Sequence, residues 1–262
     1  MKKINQSAVV FLNNDELPPR ERVETALEGL GGCVEWHEEH ELGATYAFSV
    51  ELEGGIIGVS VIGGPLEREL YDKPLETSGL PDDDRQAIEG HGTHARIVFM
   101  EERGDPIEPV LRMTHVYRIA ARLSTMDGVA VLAPGSGVFV MGLGPEHVDN
   151  TIDDEVPPLD MWIAVEKTGD DVAKSVGAKI VGIPEVELTG IGLLDAETTF
   201  CTVMDALLYL RRIRRELVPG EVLHIGRQPW DWMTLKGPEG LVKMKRVDPE
   251  AARSVRDSSE QN

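Results

Sequence analysis

The stretch TYAFSVELEGGIIGVSVIG, residues 45–63, decides the fold class of this chain. Every second residue from Tyr46 to Leu52 is large and apolar, which is the pattern of a strand with one buried face. Glu53-Gly54-Gly55 supplies turn residues, and the apolar run after it returns as a second strand. Strands joined by so short a turn pair antiparallel, so an all-parallel, doubly wound sheet is disfavoured.

The segments around this hairpin repeat the order strand, helix, hairpin. SAVVFL (7–12) predicts a strand, and RERVETALEGLGG (20–32) predicts a helix that ends at the glycine pair. The order recurs as a strand at 94–100, a helix over 105–126 and a hairpin over 128–143. We therefore predict an α+β protein of tandem βαββ units, with largely antiparallel sheets and helices packed on one face.

A third, looser copy of the unit follows in the last part of the chain. Its predicted segments are strands at 184–190, 221–226 and 241–247 and a helix over 197–217. Acidic, proline-bearing connectors are expected at 71–90 and 144–160. The predicted division is a first unit with its connector at 1–90, a second at 91–160, a third at 161–248 and a flexible tail at 249–262.

Acidic residues dominate the charge of the chain. Its 262 residues include 46 Asp and Glu but 26 Lys and Arg, a formal net charge of −20. Such a surface repels nucleic acid and anionic lipid, whereas it attracts a basic protein and favours solubility. The apolar run near the start is too short for a signal peptide and no other run approaches a membrane span, so we expect a cytoplasmic protein without membrane contact.

The stretch EGHGTHARIVFM (89–100) places His91 and His94 just before an apolar strand. In a strand, residues three apart face opposite sides, so two such histidines do not share a metal ion. The pattern of a zinc hydrolase, two histidines four apart on a helix with a glutamate between them, is absent. We predict turn chemistry at Gly90 and Gly92, with no metal and no cofactor.

Other side chains offer an enzymatic alternative. His115 lies on the second predicted helix, and Glu185 and Glu187 lie on one face of a predicted strand, where paired carboxylates can do acid–base work. The competing interpretation of Glu185 and Glu187 is a solvent-facing stripe opposite apolar residues. The alternative function is thus a small hydrolase or metal-dependent enzyme that uses His91, His94 and His115 with connector carboxylates.

Four segments in the second half resemble a bacterial family. They are THARIVFM, GVAVLAPGSGVFV, VPPLDMWIAV and GAKIVGIPEVELTG. In this order and spacing they are similar to the domain of unknown function 4261 family, across residues 90–225. The resemblance implies a strand that carries Pro158 to Trp162 and a Gly-x-Pro-Glu-x-Glu stretch at Gly182 to Glu187. It implies no reaction, cofactor or catalytic residue.

The preferred hypothesis is a non-enzymatic binding module, of the immunity or regulatory type, that masks a basic protein partner. It is based on the acidic composition and on the absence from the sequence of a recognisable nucleophile, base and oxyanion set. The residues predicted to bind the partner are the connector acids and a tryptophan pair: Asp82, Asp83, Asp84, Asp153, Asp154, Trp230 and Trp232.

Overall fold

The chain divides into two compact units, Met1–Trp162 and Ile163–Asn262. The computed structural model describes residues 6–37, 45–102, 107–149, 157–213, 215, 217–226 and 229–247. The acidic residues Asp153 and Asp154 and the predicted tail at 249–262 lie outside the described residues.

A seven-stranded sheet forms the centre of the first unit. Its elements in chain order are β1 (Ser7–Leu12), α1 (Arg20–Leu27), β2 (Cys33–Trp36), β3 (Thr45–Leu52), β4 (Gly55–Gly63), α2 (Asp72–Thr77), α3 (Asp82–Glu89), β5 (Thr93–Glu102), α4 (Pro109–Ser124), β6 (Gly128–Ala133), β7 (Val138–Met141) and α5 (Pro145–Asp149). The strand order is β2-β3-β4-β5-β1-β6-β7, and every strand pair is antiparallel.

The central position of β1 explains its continuous apolar sequence. Val9 and Phe11 face one side of the sheet, where they contact Leu66 and Tyr71. Val10, on the other side, is also fully buried, and α4 packs against β1, β5 and β6. A strand with both faces buried needs apolar residues at every position, and helical elements cover both faces of this sheet at β1. The α+β class is confirmed, while the packing of helices on a single face is corrected.

The expected connector at 71–90 contains two short helices, α2 and α3, and its role between two units stays a prediction. Pro81 occupies the N-cap position of α3 and three aspartates fill its first turn, where their charges favour the positive end of the helix dipole. Leu75 and Ile88 anchor the two short helices in a core with residues of β1 and β6. We call residues 66–89 the acidic layer, because this segment carries acidic side chains on a helical cover over the sheet.

The second unit is built on a six-stranded sheet. Its elements are β8 (Ala164–Lys167), β9 (Val172–Val176), β10 (Glu185–Thr189), α6 (Ala196–Ile213), β11 (Val222–Leu223), β12 (Asp231–Leu235) and β13 (Leu241–Val247). The strand order is β11-β12-β13-β10-β9-β8, with β10 and β13 parallel and the other pairs antiparallel. The predicted helix over 197–217 is confirmed as α6, which ends earlier than predicted, at Ile213.

Two of the predicted βαββ units share one sheet, because β5 lies between β4 and β1. Their origin by duplication stays a prediction, as do the boundaries at residues 90 and 160. The segment from Pro158 to Trp162 contains a 3-10 helix at Leu159–Met161, so the strand that the resemblance implied there is wrong. Trp162 is buried against Tyr117, which makes this turn part of the core of the first unit.

Candidate functional site

His91 and His94 lie together under the acidic layer. Both are almost fully buried, with 3% and 2% of their surfaces exposed, and their ring centroids are 6.4 Å apart. His91 precedes β5 and packs edge-on against Phe11 and Tyr71. It therefore lies on the same side of the sheet as His94, which would not hold if both belonged to a regular strand.

Both ring nitrogens of His91 are engaged by the backbone. Nε2 accepts a hydrogen bond from the Leu66 amide over 2.7 Å, and Nδ1 donates to the carbonyl of Ile88. An amide is always a donor and a carbonyl always an acceptor, so this pair of contacts fixes the neutral tautomer with its proton on Nδ1. In this state His91 has no ring nitrogen left for a metal ion or for proton transfer.

His94 holds the neighbouring loop by one nitrogen. Its Nδ1 donates to the carbonyl of Gly64 over 3.0 Å, and in the neutral ring Nε2 is then the acceptor nitrogen, which is buried and has no hydrogen-bond partner among the described residues. The two histidines thus fix Gly64 and Leu66, the residues that lead from β4 into the acidic layer. We call this pair the histidine clasp.

Burial lowers the pKa of both histidines. Desolvation is the main cause in each case, because it disfavours the charged imidazolium. The Ile88 carbonyl opposes this shift in the pKa of His91, and the Gly64 carbonyl opposes it in that of His94. Arg96 lowers the pKa of His94 further, and Glu67 raises it. Of the two rings, only that of His91 must be neutral to make its hydrogen bonds, because Nε2 accepts from the Leu66 amide.

His115 lies far from the histidine clasp. Its pKa is lowered first by burial and then by the charge of Arg118, while the charge and carbonyl of Glu53 act in the opposite direction. Glu53 lies just before Gly55, the first residue of β4, so His115 is near the start of that strand. His94 pairs with Ile62, near the end of β4. At about 3.3 Å per residue, the two ends are roughly 25 Å apart. The three histidines do not converge on one site.

Glu185 and Glu187 both have structural partners in the second unit. The Glu185 carboxylate accepts hydrogen bonds from the hydroxyl of Ser175 over 2.6 Å and from the amide of Gly177 over 3.0 Å. Glu187 pairs with Lys243, with 2.7 Å between Oε1 and Nζ. Val186 is fully buried between them, so the alternation that the sequence predicted is present. The two carboxylates stabilise strands and a turn instead of facing a common cleft.

The two tryptophans occupy different surroundings. Trp232 is fully buried on β12, whereas Trp230 precedes that strand and is partly buried. The Arg246 guanidinium lies 4.1 Å from the centroid of the Trp230 ring. In the structure Trp232 belongs to the core, and Trp230 is covered in part by a cation–π contact.

The negative charge of the protein is concentrated in its first unit. Residues 1–162 contain 30 Asp and Glu and 12 Lys and Arg, a net charge of −18, whereas residues 163–262 contain 16 and 14, a net charge of −2. The acidic layer contributes to this imbalance, with Asp82 and Asp83 exposed in the first turn of α3. The composition of the whole chain does not reveal this division, because it gives only the sum of the two units.

Comparisons of the chain with protein-family models, curated proteins and solved structures found no match. The resemblance to the domain of unknown function 4261 family therefore stays a prediction. Among the described residues, no group of three His, Cys, Asp or Glu side chains is placed to hold a metal ion. No helix in the described part of the chain has the length and apolar character needed to cross a membrane.

Proposed function

We propose that the protein is a non-enzymatic binding module whose first unit associates with a basic protein. The observation that carries this proposal is the unequal distribution of charge, −18 in the first unit against −2 in the second. A unit with this surplus produces a negative potential that accelerates encounter with a positively charged partner and disfavours negatively charged ones. An immunity-type or regulatory protein that masks a basic partner has this electrostatic character.

The enzymatic alternative has weaker support. His91 is held by two backbone groups, His94 is sealed from solvent, and His115 lies near the other end of the sheet. A general base must reach a proton of the substrate, and a buried ring held by the backbone does not meet this condition. Glu185 and Glu187 likewise have structural partners in the second unit. These residues are more consistent with support of the fold than with catalysis.

Affinity capture with matched charge variants tests the proposal. The native chain is immobilised beside two triple variants. The first-unit variant is Asp82→Asn/Asp83→Asn/Asp84→Asn. The second-unit variant, Asp170→Asn/Glu197→Gln/Glu239→Gln, removes three exposed charges from the second unit. Each is exposed to an extract of the source cells at about 50 mM and about 300 mM NaCl, because salt screens charge attraction between surfaces. We expect a basic protein that is retained at low salt by the native chain and by the second-unit variant, and several-fold less by the first-unit variant.

Two outcomes would contradict the proposal. One is the absence of a retained protein at low salt. The other is a retained protein whose amount changes neither with salt nor with the charges of the first unit, since charge attraction would then not govern the association.

A further inference from the structure

We infer that the basic partner docks on the uncovered half of one face of the seven-stranded sheet, with an apolar segment over Met100 and with flanking lysines or arginines against an acidic rim. This inference rests on the proposed function, which supplies the basic character of the partner. It adds a place for the contact and the mixed apolar and basic chemistry of the partner segment.

The acidic layer covers one part of this sheet face. Its apolar side chains pack on Val9 and Phe11 of β1 and on Ala130 and Leu132 of β6. The same face continues across β5, β4, β3 and β2, beyond the residues of that core. We call this continuation, on the side of the sheet that carries His94, the open half-face.

The exposure of alternate residues on β4 shows that the described residues leave the open half-face uncovered. Ile57, Val59 and Val61 point to the other face and are at most 2% exposed. The residues between them, Gly58 and Ser60, and the flanking Ile56 and Ile62 are all partly exposed. Register places Ile62 beside His94 and Gly58 beside Val98, so these residues form one continuous surface with β5. Ile56, Ile62 and Val98 are partly exposed and make this surface apolar.

Met100 is the most exposed apolar side chain of the open half-face, with 63% of its surface exposed. Its side chain lies directly over Gly58: a Cβ atom added to Gly58 would collide with Sδ of Met100. Gly58 thus forms a shallow groove that the thioether occupies. Methionine is flexible and polarisable, and it is well suited to contacts with a partner whose shape it must follow.

Acidic side chains border the open half-face. Glu35 on β2 and Glu51 on β3 are exposed and share this face by strand register, and Glu67 lies where the acidic layer begins. Arg96 on β5 is an exposed, positively charged residue on the same face. These four residues thus comprise three negative charges and one positive charge. An apolar segment flanked by lysines or arginines fits this pattern. A second copy of the chain fits poorly, because each first unit carries a net charge of −18.

Two synthetic peptides of equal length and equal lysine content serve as probes. One alternates lysine with leucine and the other lysine with serine, so they differ in apolar character but not in charge. Binding to the full chain is measured by fluorescence anisotropy at about 50 mM and about 300 mM NaCl. We expect both peptides to bind in a salt-dependent manner, with the lysine–leucine peptide tighter by about tenfold because leucine is buried against the open half-face.

Met100→Thr tests the position of the contact. Threonine is neutral and suits a strand, so the change removes apolar contact without altering charge. We expect the variant to bind the lysine–leucine peptide about tenfold more weakly, close to the affinity of the lysine–serine peptide. Ile62→Thr on the same face should weaken binding in the same direction. Leu193→Thr is the matched control, since Leu193 is 92% exposed in the second unit, and it should leave both affinities unchanged.

The results separate this inference from the proposed function. Equal binding of the lysine–leucine peptide to the native chain, Met100→Thr and Ile62→Thr would overturn the docking site, while salt-dependent binding of both peptides would leave the proposed function standing. An equal loss in Leu193→Thr would also overturn the site. If neither peptide binds in a salt-dependent manner, both the docking site and the proposed function fail.

Discussion

The amide of Leu66 donates a buried hydrogen bond to Nε2 of His91, over 2.7 Å. Through Nδ1 the same ring donates to the carbonyl of Ile88. Leu66 stands at the start of the acidic layer and Ile88 near its end, so one imidazole joins both ends of this layer. The arrangement requires neutral His91, because protonation replaces the Nε2 lone pair with a second donor that faces the Leu66 amide.

Acidification should weaken the fold through the histidine clasp. Burial lowers the pKa of His91 and His94 in the native protein, so the unfolded chain takes up protons first as the pH falls below about 6.5. The stability that these residues contribute is present above that pH and is lost as the pH falls toward their lower native pKa. We expect the free energy of unfolding, measured with urea, to contain a histidine contribution that decreases between about pH 7.5 and about pH 5.5.

His91→Gln isolates this contribution from the titration of the many carboxylates. Glutamine can accept the Leu66 hydrogen bond but does not titrate, so the difference in stability between the native chain and the variant should shrink as the pH falls. At about pH 7.5 the variant should be less stable by about 1–3 kcal/mol. A pH-independent difference for His91→Gln would contradict the role of the clasp.

Gly92 should tolerate no side chain, because the backbone of another segment passes beside it. A Cβ atom there would lie 2.8 Å from the carbonyl carbon of Asn14 and 3.0 Å from Cα of Asp15. Backbone cannot rotate away as a side chain can, so Gly92→Ala should lower the free energy of unfolding by at least about 2 kcal/mol. Gly90→Ala is the control, since its Cβ would meet the Gln86 carbonyl at 3.1 Å and its φ of −88° suits alanine. Equal stability of the two variants, measured by thermal unfolding, would contradict the prediction.

The predicted hairpins and long helices are present because their signals are local. The alternation over residues 45–63 and the helical spacing in residues 197–217 each depend on neighbours in sequence, and they correspond to β3, β4 and α6. The acidic layer was missed because α2 and α3 are short and present few apolar residues. Each of these helices has one buried residue, Leu75 in α2 and Ile88 in α3, which is too few to establish a period.

The roles of the candidate site residues depended on contacts that sequence spacing does not contain. His91 was interpreted as part of a turn, which is consistent with its place before β5, but its partner Leu66 lies 25 positions earlier. The glycine-rich loop before Leu66 carries no sign of this contact. Likewise, Cys201 lies among apolar residues at helical spacing, yet it is exposed, because α6 turns Thr199 and Thr202 toward the interior instead.

Glu185 should matter for stability and Glu187 should matter little. Glu185 accepts hydrogen bonds from Ser175 and from the amide of Gly177, at the start of the turn before β10, and the removal of a charged acceptor leaves these donors unpaired. Glu185→Ala should therefore lower the free energy of unfolding by about 2–4 kcal/mol, and Glu187→Ala by less than about 1 kcal/mol because its pair with Lys243 is partly exposed. Urea unfolding of both variants checks the order. A reversed order would show that the Glu185 hydrogen bonds do not support the turn.

Trp232 and Trp230 should differ in how much each contributes to the free energy of unfolding, and Trp230 should take no part in peptide binding. Trp232 is fully buried, so Trp232→Ala should cost about 3–5 kcal/mol, whereas Trp230→Ala should cost about 1 kcal/mol through the loss of its contact with Arg246. Trp230→Phe keeps an aromatic ring over Arg246 and should leave the affinity for the lysine–leucine peptide unchanged, since the open half-face lies in the first unit. Chemical unfolding gives the stabilities and anisotropy the affinity. A clear loss of peptide affinity in Trp230→Phe would instead place the tryptophan in the contact with the basic partner, as its sequence position first suggested.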